Sequence, residues 1–254
     1  MKLTKLKVTV ALCACLLLTA CGNEGNVADV SEPSALPESA DAATDSVIWE
    51  SADTDPVLVP ENADPVKDHT YSVVQVTSGD TAGCGVIVKR TEEKLWIATV
   101  AHIFTDQQAE VRITFPEGQI VSGSVYIYDA ARDVALVRTD PKEVPEESYT
   151  LAEGTLPDAS KTDATVCAGL TTDRNLPVIL LDTSFKMEED IEGFPKETVI
   201  IAAGQIHQGM SGGGLFDESG HLLGIISGGT TEATIVAIPW RIYEEYLSHV
   251  DSYQ

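Results

Sequence analysis

From about residue 67 the chain alternates short apolar, β-branched runs with clusters of turn-forming residues. The runs are Tyr71-Ser-Val-Val-Gln-Val76, Gly85 to Lys89, Leu95 to Val100, Val111 to Phe115, Ile120 to Tyr128 and Val134 to Arg138. A Pro- and Glu-rich stretch (140–162) interrupts the pattern, and further runs follow around 164–168, 178–181, 198–203, 214–216, 222–227 and 234–238. Runs of this length at this spacing predict the strands of β-barrels or sandwiches rather than βαβ units. The single helical signature is Trp240-Arg-Ile-Tyr-Glu-Glu-Tyr-Leu-Ser-His-Val250, apolar at intervals of three and four and starting just after Pro239. The pattern therefore predicts an all-β protein of two six-stranded halves, about 67–140 and 163–239, closed by a helix at 240–250.

The first 66 residues follow neither pattern. Lys2, Lys5 and Lys7 precede an apolar run from Val8 to Ala20, too short to span a bilayer but typical of a secretory signal. Residues 22–66 then hold eleven acidic side chains and five prolines with no Lys, Arg or His. Such a segment cannot bury enough apolar surface to offset its ordering entropy, so it reads as a disordered, self-repelling spacer. The formal net charge of −24 excludes nucleic acid as a partner, because phosphates would be repelled.

Candidate chemistry lies at the ends of the expected strands. His102 closes the Leu95 run, Asp133 opens the Val134 run, and Ser211 stands in Gln208-Gly-Met-Ser-Gly-Gly-Gly214 between two runs. A serine hydroxyl is a poor nucleophile until a histidine takes its proton, and that histidine needs a carboxylate to fix its tautomer. Glycines around the serine let backbone N–H groups converge on a developing oxyanion. Asp129, also near a strand end, competes with Asp133 for the orienting role. His207 is a local rival of His102, while His69, His221 and His249 read as surface residues. No metal-binding spacing occurs, so neither a metal nor another cofactor is expected.

Six segments in order resemble the trypsin-like (chymotrypsin-fold) serine peptidases, and most closely the HtrA-type bacterial branch. They are Ala82-Gly-Cys-Gly-Val-Ile-Val88, Ala98-Thr-Val-Ala-His102, Arg132-Asp-Val-Ala-Leu-Val137, Gln208-Gly-Met-Ser-Gly-Gly213, Gly224-Ile-Ile-Ser-Gly228 and Val236-Ala-Ile-Pro239. The resemblance implies two antiparallel β-barrels with the active site in the cleft between them, over a domain at 67–254. It implies His102 as general base, Asp133 as its orienting acid, Ser211 as nucleophile, and the N–H groups of Gly209 and Ser211 as the oxyanion hole. Ser227, Gly228 and Gly229 would be the edge that pairs with an extended polypeptide substrate. Gln205, six before the serine, would line the primary pocket, and its lack of charge argues against preference for Lys or Arg. Two residues depart from the pattern. Met210 stands where trypsin-like digestive enzymes have Asp and the HtrA branch usually a polar residue, and Gly214 stands where Pro is usual. Sixteen residues follow Ile238, so the PDZ domain of many HtrA proteins is not expected.

Leu18-Thr-Ala-Cys21-Gly22 resembles the lipobox of bacterial lipoproteins. That resemblance implies a signal peptide at 1–20, a diacylglycerol-bearing Cys21, and a spacer at 21–66 that holds the domain clear of the membrane outside the cytoplasm. The alternative is an ordinary signal peptide with an incidental cysteine. Cys13 and Cys15 would leave with the signal. Cys84 and Cys167 then remain, an even count that permits a disulfide, against the alternative of two small buried thiols. Three function classes stay open: a membrane-anchored serine endopeptidase, a peptidase-fold scaffold that binds extended peptides with little turnover, and a lipoprotein whose β domain serves adhesion or solute capture.

Overall fold

Twelve strands close into two barrels in the computed structural model, which describes residues 69–158, 160–161, 163–169, 178–188, 199–204, 206, 208–230 and 234–250. Residues 1–68, with Cys21 and the whole of the spacer, lie outside the described residues, as do Gln205 and His207.

The first barrel comprises β1 (Val73–Ser78), β2 (Thr81–Arg90), β3 (Leu95–Thr99), β4 (Glu110–Thr114), β5 (Ile120–Asp129) and β6 (Val134–Thr139). They lie in the order β1-β2-β3-β6-β5-β4, and antiparallel pairing of Gln75 with Thr114 closes the ring. β3 is buried at every position, while β4 alternates Glu110 out, Val111 in, Arg112 out, Ile113 in. The continuous run therefore lies in the middle of the molecule and the alternating run on its solvent side.

The second barrel comprises β7 (Asp163–Gly169), β8 (Val178–Glu188), β9 (Val199–Ala203), β10 (Gly214–Asp217), β11 (Leu222–Thr230) and β12 (Thr234–Pro239), in the order β10-β11-β12-β9-β8-β7. β12 runs directly into the helix α1 (Trp240–Val250), whose stripe of Ile242, Tyr243, Leu247 and Val250 is buried. Arg241, Glu244 and Glu245 face water on the other side, the division that a 3.6-residue period imposes.

The Pro/Glu-rich stretch forms a strap that bonds to both barrels within six residues. The N–H groups of Thr150 and Ala152 donate to the carbonyls of Tyr71 and Ile87 in the first half. The Leu222 N–H donates to the Glu153 carbonyl, and the Thr155 N–H to the Leu222 carbonyl, in the second.

One expectation changes, and one open alternative closes. Tyr71 and Ser72 belong to a short 3-10 turn (His69–Ser72) and not to β1. No disulfide joins Cys84 to Cys167: both are buried thiols. Cys84 is registered opposite Gln75 in one barrel and Cys167 opposite Gly214 in the other, and the Cys84 thiol is turned onto the Gly209 carbonyl. Each behaves as the small, poorly polar side chain that cores often hold.

Candidate active site

β3 ends at Thr99, and the chain makes one tight turn over Ala101–Ile103. Ala101 and Ile103 are buried by it, which leaves the His102 ring facing out, 39% exposed. Asp133 meets this turn from the start of β6. Its carbonyl accepts from the Ala101 N–H at 3.2 Å, and its Oδ1 from the His102 N–H at 2.9 Å. The imidazole Nδ1 lies 3.0 Å from Oδ1 and 2.9 Å from Oδ2 of the same carboxylate. Main chain and ring are thus gripped by one residue. A carboxylate can only accept, so Nδ1 carries the proton and Nε2 is left as the acceptor.

Asp133 holds a φ of +56°, a left-handed conformation that a short polar residue tolerates better than most. The turn that sets it is closed by Asp129, whose Oδ1 accepts from the N–H groups of Ala131 and Arg132 at 3.0 and 3.1 Å. Asp129 therefore serves the turn and does not reach the imidazole. Burial pushes its carboxyl up, but the Tyr246 hydroxyl and the two backbone donors together outweigh this and hold it below the usual range.

Ser211 stands on a turn fastened at almost every residue. The Gly212 N–H donates to the Ile226 carbonyl at 2.7 Å, the Gly213 N–H to the Met210 carbonyl at 2.9 Å, and the Ile226 N–H to the Gly213 carbonyl at 2.8 Å. Cys84 holds the other side: its N–H donates to the Ser211 carbonyl at 2.6 Å and its thiol to the Gly209 carbonyl at 3.0 Å. Gly212, with φ of +87°, has no alternative, because a Cβ there would lie 1.8 Å from the Cys84 carbonyl oxygen.

The two departures from the family pattern have structural answers. Met210 is fully buried in the core, so an apolar anchor replaces a polar one. Burying such a side chain is worth roughly 1.5–3 kcal/mol. Gly214 leaves room for the ring of Phe216, whose Cε2 lies 2.4 Å from where a Cβ would be, and a proline would collide with it.

The Ser211 hydroxyl donates to the Ser227 carbonyl at 3.4 Å and, among the described residues, makes no hydrogen bond to His102. Ser227 supplies more than the backbone edge expected of it, since its own hydroxyl donates to Oδ2 of Asp133 at 2.5 Å. A register shift between Ile226 and Gly228 turns it inward, and no local sequence signal marks that bulge. Beyond it, Gly228 and Gly229 pair with Val236 and Ile235 on one side, and no described strand pairs with the other side. Nothing lies within 4 Å of a Cβ built on Gly228.

A pair of closed six-stranded antiparallel barrels followed by a C-terminal helix is the chymotrypsin-type class of fold. Residues 83–225 match the model of the trypsin-like peptidase domain. The chain belongs to this family of serine peptidases, and its relatives are of the HtrA type. A "Serine protease HtrA-like" protein of Staphylococcus epidermidis is 26% identical over 178 residues, which is 67% of this chain and 30% of that protein. Its Staphylococcus aureus counterpart is 26% identical over 219 residues, 81% of this chain and 26% of that one. The chain thus spans less than a third of these relatives' length. Among solved structures, the inactive form of the Rv3671c protease from M. tuberculosis aligns with a TM-score of 0.56 at 22% identity, covering 71% of this chain and 89% of that one. A serine endoprotease from Yersinia pestis aligns at 0.56 and 20% identity, covering 71% and 62%. At these identities the structures speak for the fold alone.

Proposed function

We propose that the chain is an extracytoplasmic serine endopeptidase, held on the bacterial cell membrane through a lipid on Cys21. Ser211 is the nucleophile, His102 the general base and Asp133 its orienting acid. The carrying observation is the double contact of the Asp133 carboxylate with Nδ1 of His102, which leaves Nε2 as a base. In the reaction, the Ser211 hydroxyl turns from the Ser227 carbonyl to Nε2, gives up its proton and attacks the scissile carbonyl. The N–H groups of Gly209 and Ser211 receive the oxyanion. His102 then returns its proton to the leaving amine, and water releases the acyl group by the reverse path. The open side of β11 at Ser227 to Gly229 takes the substrate as an added strand.

Fluorophosphonate labelling tests this reading. Label should appear on Ser211 of the native protein and vanish in Ser211→Ala and His102→Ala. A folded wild-type protein that takes no label overturns it. The competing reading, a peptide-binding scaffold with little turnover, draws on the engagement of the Ser211 hydroxyl with Ser227 instead of His102. Stoichiometric peptide binding without label would establish it.

The anchor rests on the Leu18-Thr-Ala-Cys21 signature behind a basic and apolar leader. Cys21→Ser should move the protein from the membrane fraction to the medium or to an uncleaved precursor, and an unchanged membrane-bound mature form excludes this attachment. Gln205 points to a primary pocket for uncharged side chains, since a buried cation without a partner is costly. Cleavage of a peptide library mainly after Lys or Arg would contradict that.

A further inference from the structure

His102 follows the end of β3 and Asp133 precedes the start of β6, and α1 reaches the chain beside each of them, at Thr99 in β3 and at Asp129 at the end of β5. Tyr243 is fully buried, and its hydroxyl donates to the Thr99 carbonyl at 2.9 Å, three residues before His102. One helical turn later, the Tyr246 hydroxyl donates to Oδ2 of Asp129 at 2.5 Å. The other oxygen of Asp129 closes the turn that delivers Asp133 in its left-handed conformation. Arg132, in that turn, extends to Oε2 of Glu245 at 3.4 Å. Residues three apart on a helix share a face, so one rigid surface fixes both anchor points. That surface is continuous with the last strand of the second barrel, whereas the anchor points belong to the first.

We propose that Tyr243 and Tyr246 are positioning residues, through which α1 sets the placement of His102 relative to Asp133. Neither touches the imidazole or the reacting atoms. Each acts through a short, stiff lever: Thr99 to His102 on one side, Asp129 to Asp133 on the other. The hydroxyls remain donors throughout the working range, because burial raises both phenols, and Asp133 raises Tyr243 while Asp129 raises Tyr246. A helix that merely covered the core would need the rings and not the hydroxyls.

The inference rests on the peptidase reading for its kinetic consequence but not for its geometry, and the test separates the two. Tyr246→Phe removes one half-buried hydroxyl and keeps the ring. Turnover of a peptide substrate should fall about tenfold with KM unchanged, as expected when reacting groups are slightly misplaced. Asp129→Asn should cause a similar loss, and the double variant no more than the larger single one, because both break one contact. The proton NMR resonance of the His102 Nδ1–H, which requires no turnover, should shift or broaden in Tyr246→Phe. Tyr243→Phe should do the same, and if it fails to fold, Tyr246→Phe still decides. An Nδ1–H resonance and a kcat both unchanged in a folded Tyr246→Phe would overturn the proposal. A wild-type protein without turnover would count against the peptidase reading, and the resonance alone would then uphold or refute the positioning role.

Discussion

The Ser227 hydroxyl donates to Oδ2 of Asp133 at 2.5 Å, across 94 residues of sequence and from one barrel to the other. The same oxygen faces Nδ1 of His102 at 2.9 Å, so the carboxylate that grips the imidazole is itself held from behind. Hydrogen bonds to a charged acceptor are worth about 1.5–3 kcal/mol. Ser227→Ala should therefore lower kcat by about tenfold or more while the protein still folds and binds substrate with a similar KM. A variant with wild-type turnover would show that Asp133 needs no such support.

Replacing the carboxylate itself is harsher. Asp133→Asn keeps the volume but presents an amide that can donate to Nδ1, which stabilises the wrong tautomer. The expected loss in turnover is up to about 10⁴, by analogy with the same change in one well-studied Ser-His-Asp triad. Steady-state kinetics on a protein shown by circular dichroism to be folded is the check, and a loss of only a few-fold would separate Asp133 from the base.

Cys84 binds the serine turn through both its N–H and its thiol. Cys84→Ala keeps the first bond and loses the second, so amide hydrogen exchange at Gly209 to Ser211 should quicken. Cys84→Ser offers a hydroxyl donor and should restore most of the protection. Migration on gels should not change with reductant, and both Cys84 and Cys167, being buried, should resist alkylation until the protein is unfolded. Equal exchange in all three proteins would remove the thiol from the account.

Asp129 gives a pH dependence of stability with a definite sign. Its folded-state pKa lies below the ordinary 3.8, so its contribution is present above that value and is lost as pH falls through the lower folded value. The gap in melting temperature between wild type and Asp129→Asn should be widest near neutrality and should narrow below about pH 4. Melting curves at both ends of that range decide it, and a gap that widens in acid would reverse the assignment.

What could be read from the chain follows from how local the signal is. β3 and β6 announce themselves because Leu95 to Thr99 and Val134 to Arg138 are apolar runs with little else to be. β8 extends to Glu188, well past the apolar start at 178–181, because its later half alternates exposed Asp182, Ser184 and Lys186 with buried Phe185. A mixed run of that kind resembles a loop until its partner strand is known. Motifs at strand ends singled out His102, Asp133 and Ser211, and the structure brings the first two into contact. Choosing Asp133 over Asp129 by residue pattern alone was not possible, since both flank turns. The difference lies in a left-handed φ at one and a tyrosine from α1 at the other, both products of tertiary structure. The second role of Ser227 was hidden for the same reason. In the stretch after β6 the local bonds make only short 3-10 turns, at Pro141–Glu143 and Glu146–Ser148, and the bonds of Thr150, Ala152, Glu153 and Thr155 go to partners far away in sequence, so no periodic pattern marks it.

Those bonds have a mechanical consequence. A connector tied to the first half at Thr150 and Ala152 and to the second at Glu153 and Thr155 is a seam and not a hinge. With Cys84 also bonded directly to Ser211 across the divide, the halves cannot gape to admit a bulky guest without breaking backbone bonds. Movement of one half against the other therefore has to break bonds at the strap or at the Ser211 carbonyl, so the serine turn is coupled to the seam itself.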